Sequence, residues 1–237
     1  MKPQVLVTSF DRLDYLKKTV ATLRQDDIHL LIVDGGTEEG EARRETREFI
    51  AANADAAIFL DGNPGADVLK TIGIKKLVTA PEFIITSDDI GFPKGYSSLI
   101  FDQYRRINKG GLKWTYVACP KARTLELHAA NYRVVNGVRV LGTSNSQVCG
   151  AIIDSQAARD AGYFPVYGKG GSGDWAFSKR MRDAGYTVGY WYEPVVEHYG
   201  DKKSLDYPEY TRRMDADMKR WGKQTKTDPL GHAVDVK

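Results

Sequence analysis

Cysteine is scarce in this chain of 237 residues: Cys119 and Cys149 are the only two. Two are too few for a disulfide framework, and neither lies in a C-x-x-C pair, which excludes a structural zinc cluster. Long hydrophobic runs are missing as well. No apolar stretch approaches the length of a transmembrane helix, and Met1-Lys2-Pro3-Gln4 opens without the apolar region of a signal peptide. The expectation from these absences is a soluble, cytoplasmic protein of a reducing compartment. No large excess of one charge is present, with 34 Lys and Arg against 31 Asp and Glu, so a histone-like or highly acidic chain is excluded. Repeats and low-complexity linkers are absent too. The 42% of hydrophobic residues suffice for a sizeable core in one domain or two tightly joined halves.

What is present is an alternation of strand and helix patterns over the first ninety residues. Gln4 to Ser9 reads as a buried strand. Leu13, Leu16, Val20 and Leu23 then recur at three and four, the face of an amphipathic helix that Asp11 is placed to cap. Leu30 to Val33 is a second strand, stopped by Asp34-Gly35-Gly36, and Glu38 to Ala52 is a charged surface helix. Ala57 to Leu60 precedes the turn Asp61-Gly62-Asn63-Pro64-Gly65. A helix over Asp67 to Val78, tolerating Gly73, and a strand over Phe83 to Thr86 lead to Ser87-Asp88-Asp89. This order predicts an α/β fold: a mostly parallel sheet with helices on both faces, in which ligands bind beyond the carboxyl ends of the strands. Asp11-Arg12, Asp34 and Asp88-Asp89 all follow strands and should meet on one rim.

After Asp89 the pattern becomes mixed α+β. Tyr96 to Ile107 is helical, Lys113 to Ala118 a strand, and Asn136-Gly137 the turn of a two-residue hairpin. A strand over Gln147 to Ile153, a helix over Ser155 to Ala161, a helix over Asp174 to Ala184 and a strand over Thr187 to Tyr192 follow. The expected organisation is one half over residues 1–90, a second over 91–200 built on the same sheet, and a helix (Tyr207 to Trp221) with a polar tail over 201–237.

The acids carry the chemistry. Adjacent carboxylates such as Asp88 and Asp89 repel unless a cation or a proton stands between them. A hard divalent ion, Mn2+ or Mg2+, suits such oxygens; a helix cap or a solvated turn is the alternative. His198, beside Glu197 and after Pro194, is either a further ligand or a packed histidine. Asp174 follows the glycine-rich run Gly168 to Gly173 and opens a helix, as an N-cap or as a base that takes a proton from an attacking hydroxyl. The run itself has the form G-x-G-x-x-G but sits late in the chain, not after a first strand, and no Gly-Lys-Ser/Thr closes it. Neither a dinucleotide fingerprint nor a P-loop is therefore read there.

In their order these segments resemble the GT-A glycosyltransferases, in particular the family-2-like, nucleotide-sugar-dependent group, over roughly Pro3 to Tyr199. Val5-Leu6-Val7-Thr8-Ser9-Phe10-Asp11-Arg12 is similar to that family's first strand and its P-T-Y-N-R-like turn. Ile32-Val33-Asp34-Gly35-Gly36-Thr37 resembles I-V-D-D-G-S. Gly62-Asn63-Pro64-Gly65 with Lys70-Thr71-Ile72-Gly73-Ile74 resembles N-x-G…R-N-x-G-I. Thr86-Ser87-Asp88-Asp89 occupies the place of D-x-D. Gly173-Asp174-Trp175, with Arg180 and Ala184-Gly185-Tyr186, resembles the E-D…R…A-G-Y helix. Gly35, Thr86 and Gly173 stand where the pattern has acids.

The resemblance implies transfer of a sugar from a nucleotide diphosphate sugar to an acceptor hydroxyl, with inversion. It implies nucleotide binding by Thr8, Phe10, Asp11, Arg12, Asp34 and Lys70. It also implies Mn2+ or Mg2+ on Asp88, Asp89 and His198, and a base at Asp174. A nucleotidyltransferase with a similar nucleotide-binding half and a non-catalytic sugar-nucleotide or nucleic-acid binding protein are the alternatives. Residues 91–150 carry nine Lys and Arg against two acids, a net +7, while the rest of the chain sums to −4. Trp114, Arg133, Arg139 and Trp175 are the acceptor-side candidates. Arginine and aromatic rings together suit phosphates, bases and sugar rings. The expected acceptor is therefore anionic: a modified DNA base, a lipid-linked phosphate or an acidic glycan.

Overall fold

A computed structural model describes residues 2–36, 39–62, 64–144, 146–165 and 173–202. The run Gly168 to Ser172 and the helix expected over Tyr207 to Trp221 lie outside the described residues. The first ninety residues form β1 (Gln4–Phe10), α1 (Leu13–Leu23), β2 (His29–Gly36), α2 (Gly40–Asn53), β3 (Ala56–Asp61), α3 (Ala66–Lys76) and β4 (Glu82–Ser87). Then come β5 (Ile90–Gly91), α4 (Tyr96–Ile107), β6 (Trp114–Ala118), α5 (Ala122–His128), β7 (Arg133–Val135) and β8 (Val138–Gly142). The chain continues through β9 (Ala151–Asp154), α6 (Ser155–Asp160), α7 (Gly173–Asp183), β10 (Thr187–Trp191) and β11 (Glu197–His198).

One nine-stranded sheet runs in the order β3-β2-β1-β4-β9-β6-β10-β8-β7, and β11 pairs with β5 in a second, two-stranded sheet. β3, β2, β1 and β4 are parallel, β9 is antiparallel to β4, and β6 and β10 return to the direction of β4. The order steps outward from β1 through β2 to β3, then jumps across β1 to β4. That reversal opens a crevice at the carboxyl ends of β1 and β4, the place where open α/β sheets bind ligands. Alternation sets the two faces: Val5 and Val7 enter one core with Leu16, Val20 and Ile32, and Leu6 enters the other with Val33, Leu69 and Ile85. Gly73 is needed for the second face. A Cβ there would lie 2.7 Å from a methyl of the buried Leu6 and 3.0 Å from Val33. Among the described residues no helix is long and apolar enough to cross a membrane.

The structure revises three local expectations and adds a helix, α5, that the sequence did not suggest. Asp11 does not cap α1: Arg12 is the N-cap residue, without a side-chain cap, and Asp11 turns at φ 45°. The strand expected from Gln147 begins only at Ala151, because Gly150 bends the chain at φ 62° and a Cβ there would meet the Phe92 ring at 2.4 Å. Asp174 lies inside the first turn of α7 and spends its carboxylate elsewhere. The short helix α5 carries no clear apolar period in the sequence. The Asn136-Gly137 turn forms as expected, with φ of 49° and 75°.

Candidate active site

The crevice between β1 and β4 is filled by a charged cluster. Asp88 is fully buried: Oδ2 accepts from Ser9 Oγ at 3.1 Å and from the Phe10 amide at 3.3 Å, and Oδ1 pairs with Arg12 Nη2. Arg12 Nη1 reaches Asp89 Oδ2 at 2.9 Å, and Ser87 Oγ donates to Asp89 Oδ1 at 2.6 Å. Pairing of β11 with β5 sets His198 opposite Ile90 and brings its Nε2 to 3.5 Å from Asp89 Oδ2. Thr19 of α1 donates to the Asp88 carbonyl at 2.7 Å, fixing the turn from the helix side. Burial pushes the Asp88 carboxyl up to about 6 against the pull of Arg12. Burial acts on Asp89 too, but Arg12, His198 and Ser87 outweigh it and hold that carboxyl below its usual range.

These residues can be weighed as a metal site by their donors. Both carboxylates are engaged: Asp88 by Ser9, the Phe10 amide and Arg12, and Asp89 by Ser87 and Arg12. Asp89 and His198 offer one hard oxygen and one imidazole nitrogen. Their 3.5 Å separation is close to that of two ligands on one ion, ~3.0–3.5 Å for bonds of about 2.1 Å. Among the described residues no compact group of three such ligands forms. An ion fits on Asp89 and His198 if Arg12 turns outward and oxygens of a substrate complete the shell.

The remaining nucleotide-side candidates lie on the same rim. Thr8 is buried, while Phe10, Asp11 and Arg12 are half-buried. Asp34, beside Ser9 in the register of β1 and β2, is fully buried under Arg43 of α2. Arg43 Nη1 pairs with Asp34 Oδ2, and its Nη2 donates to the Leu60 carbonyl at 2.9 Å. Asp34 Oδ1 has no hydrogen-bond partner among the described residues. Burial raises the Asp34 carboxyl more than Arg43 lowers it. Arg43 was missed in the sequence because α2 reads as a charged surface helix. The signal was its spacing from Thr46 and Ile50, the other buried residues of that helix.

A second cluster joins α3 to α7. Lys70 Nζ donates to Asp174 Oδ1 at 2.6 Å and to Asp67 Oδ1 at 3.1 Å, and stands 4.8 Å from the centre of the Phe164 ring. The Val148 amide donates to Asp174 Oδ2 at 3.0 Å. Ile85 pairs with Ala151, so the segment before β9 passes the carboxyl end of β4 and brings Asp174 to the rim. Lys70, expected on the nucleotide, is thus tied to the candidate base.

The acceptor-side candidates are dispersed. Arg133 is exposed on the edge strand β7; Arg139 is exposed on β8 and stacks over the Tyr192 ring, 3.5 Å from its centre. Trp175 is half-buried on α7. Trp114 opens β6, at the end of that strand away from the rim, and packs over Gly189 and Gly142.

No protein-family model matches the chain, and no curated protein matches it in sequence. Solved structures match its fold. TarS from S. aureus gives a TM-score of 0.59 over 92% of this chain at 13% identity, and the chain spans 40% of TarS. The mannosyltransferase PcManGT from Pyrobaculum calidifontis, solved with GDP-Man and Mn2+, gives 0.57 over 92% at 14% identity, with 64% of that chain covered. GalNAc-T7, solved with UDP, GalNAc and Mn2+, gives 0.61 over 84% at 11% identity, with 44% covered. The chain therefore has the GT-A fold of nucleotide-sugar glycosyltransferases.

Proposed function

We propose that this chain transfers a sugar from a nucleotide diphosphate sugar to an acceptor hydroxyl, with inversion at the anomeric carbon. The observation that carries this reading is Asp174, a carboxylate 23% exposed, fixed at the rim by Lys70 and the Val148 amide. A base held by two donors with one side open can take a proton from an attacking hydroxyl. The nucleotide lies across Thr8 to Arg12, with Asp34 and Arg43 beneath it. Asp89 and His198 would hold a divalent cation, Mn2+ or Mg2+, which would neutralise charge on a departing diphosphate. Arg12, released from the acids, turns to the same phosphates and adds to that stabilisation. Support for this donor class comes from relatives solved with UDP-GlcNAc, GDP-Man or UDP. The acceptor in this reading is anionic and meets Arg133, Arg139 and Trp175.

The test is product analysis with UDP-, GDP-, CDP- and dTDP-sugars, each with and without Mn2+. Release of a nucleoside diphosphate together with a glycosylated product supports the proposal. Release of pyrophosphate makes the chain a nucleotidyltransferase. Binding of a donor without turnover makes it a binding protein.

A further inference from the structure

We propose that Asp67 is a positioning residue that sets the basicity of Asp174 through Lys70, from the space that a side chain at residue 173 would otherwise fill. The inference rests on the reading of Asp174 as the base. Three observations converge on it. A Cβ at Gly173 would lie 1.9–2.1 Å from the Asp67 carboxylate, so that carboxylate stands where a residue 173 side chain begins. Asp67 is 3% exposed and Lys70 7%, and among the described residues Lys70 is the hydrogen-bond partner of Asp67, at 3.1 Å. The same ammonium holds Asp174 at 2.6 Å.

The charge balance gives the consequence. One buried ammonium lies between two carboxylates. With Asp67 present, the positive charge and the hydrogen bonds of Lys70 are shared between the two carboxylates. Without Asp67, Lys70 serves Asp174 alone, which lowers its basicity and draws it away from the acceptor. Among the described residues, Asp174 also acts on the titratable Tyr116 of β6 and Tyr190 of β10. Burial, then neighbouring groups that include Asp174, raises both hydroxyls well above neutrality, so both stay uncharged there. Gly173 is therefore no sign of lost activity: the acid found at that position in the resembling pattern is supplied by Asp67, from α3. As the acceptor O–H gives its proton to Asp174, its oxygen bonds to the anomeric carbon and the bond from that carbon to the diphosphate oxygen breaks.

The test uses Asp67→Asn, Asp67→Ala, Gly173→Asp and the double variant Asp67→Ala/Gly173→Asp, with Asp174→Asn as the control. Carbon NMR of the Asp174 carboxyl and the pH profile of kcat are read together. Asp67→Asn keeps the shape and should move the Asp174 titration down by about one pH unit. Turnover at neutral pH should fall on the order of tenfold, with the acid limb of the profile shifted the same way. Gly173→Asp alone should lose stability, since two carboxylates cannot share the space, and the double variant should regain both fold and turnover relative to either single change. An unmoved Asp174 titration in Asp67→Asn overturns the proposal. So does a double variant no better than its singles. Wild-type turnover in Asp174→Asn would instead remove the base reading, while the carboxyl titration still reports whether Asp67 acts on Asp174.

Discussion

At the scale of single residues, burial separates acids that look alike in the sequence. Asp88 and Asp89 are neighbours, yet one is sealed beneath Arg12 and the other faces His198. Removing a general base costs on the order of 10²–10⁴ in rate, so Asp174→Asn should lower turnover by at least a hundredfold with donor affinity little changed. Stopped-flow turnover beside equilibrium titration with the donor checks this; lost binding would show a structural role instead. His198→Ala should weaken Mn2+ binding about tenfold or more, measured by electron paramagnetic resonance of free Mn2+. Binding equal to wild type would place the ion elsewhere. The sequence made Asp88, Asp89 and His198 visible because such residues just after strands are conspicuous, and Asp174 because it follows a glycine-rich run and opens a helix. Arg43 and Asp67 were not visible, because a charge on a helix reads as solvated until the helix is docked.

At the scale of elements, close approach governs how α3 meets the sheet. Replacing glycine by alanine within an exposed helix gains about 1 kcal/mol in propensity. In α3 the same change should cost about 1–3 kcal/mol, because Leu6 and Val33 leave no room for a Cβ at Gly73. Urea denaturation of Gly73→Ala settles the sign. At the α2–β3 junction Asp55 accepts from the Leu30 amide at 2.7 Å and from Arg24 at 3.1 Å. Burial opposes the charge of Asp55, but those two partners outweigh it, and its carboxyl is held below the ordinary range. A depressed folded-state pKa gives stability that is present above the unfolded value near 3.8 and is lost as pH falls through the lower folded value. Asp55 is 37% exposed and solvent screens its pair with Arg24, so Asp55→Asn should cost no more than about 0.5–1 kcal/mol at pH 7, and the difference from wild type should shrink below about pH 4. Thermal melts at several pH values give the comparison. Element order was legible because β1 to β4 are short apolar runs divided by turn residues. The start of β9 was not, since the bend at Gly150 depends on the Phe92 ring packed against it.

At the scale of the whole molecule, charge is segregated: residues 91–150 carry +7 within a chain of formal charge +3. If the acceptor is anionic, binding should release counterions and weaken steeply with salt. Arg133→Ala/Arg139→Ala should reduce the slope of log affinity against log salt by roughly 2 for duplex DNA or an acidic glycan. Filter binding between low and moderate salt measures it. Efficient glycosylation of a neutral sugar, with no DNA binding at low salt, would discard the anionic acceptor. By itself the sequence determined the alternation of strands and helices, the two-faced core and the acids at strand ends, because each of these is written in local periodicity. Only the tertiary structure decided that Arg12 closes over the acid pair, that Arg43 covers Asp34, and that Asp67 takes the space beside Asp174. The contacts at these sites join residues as far as 104 positions apart. Which partner a buried charge finds depends on how the helices cross the sheet, and no local pattern encodes that.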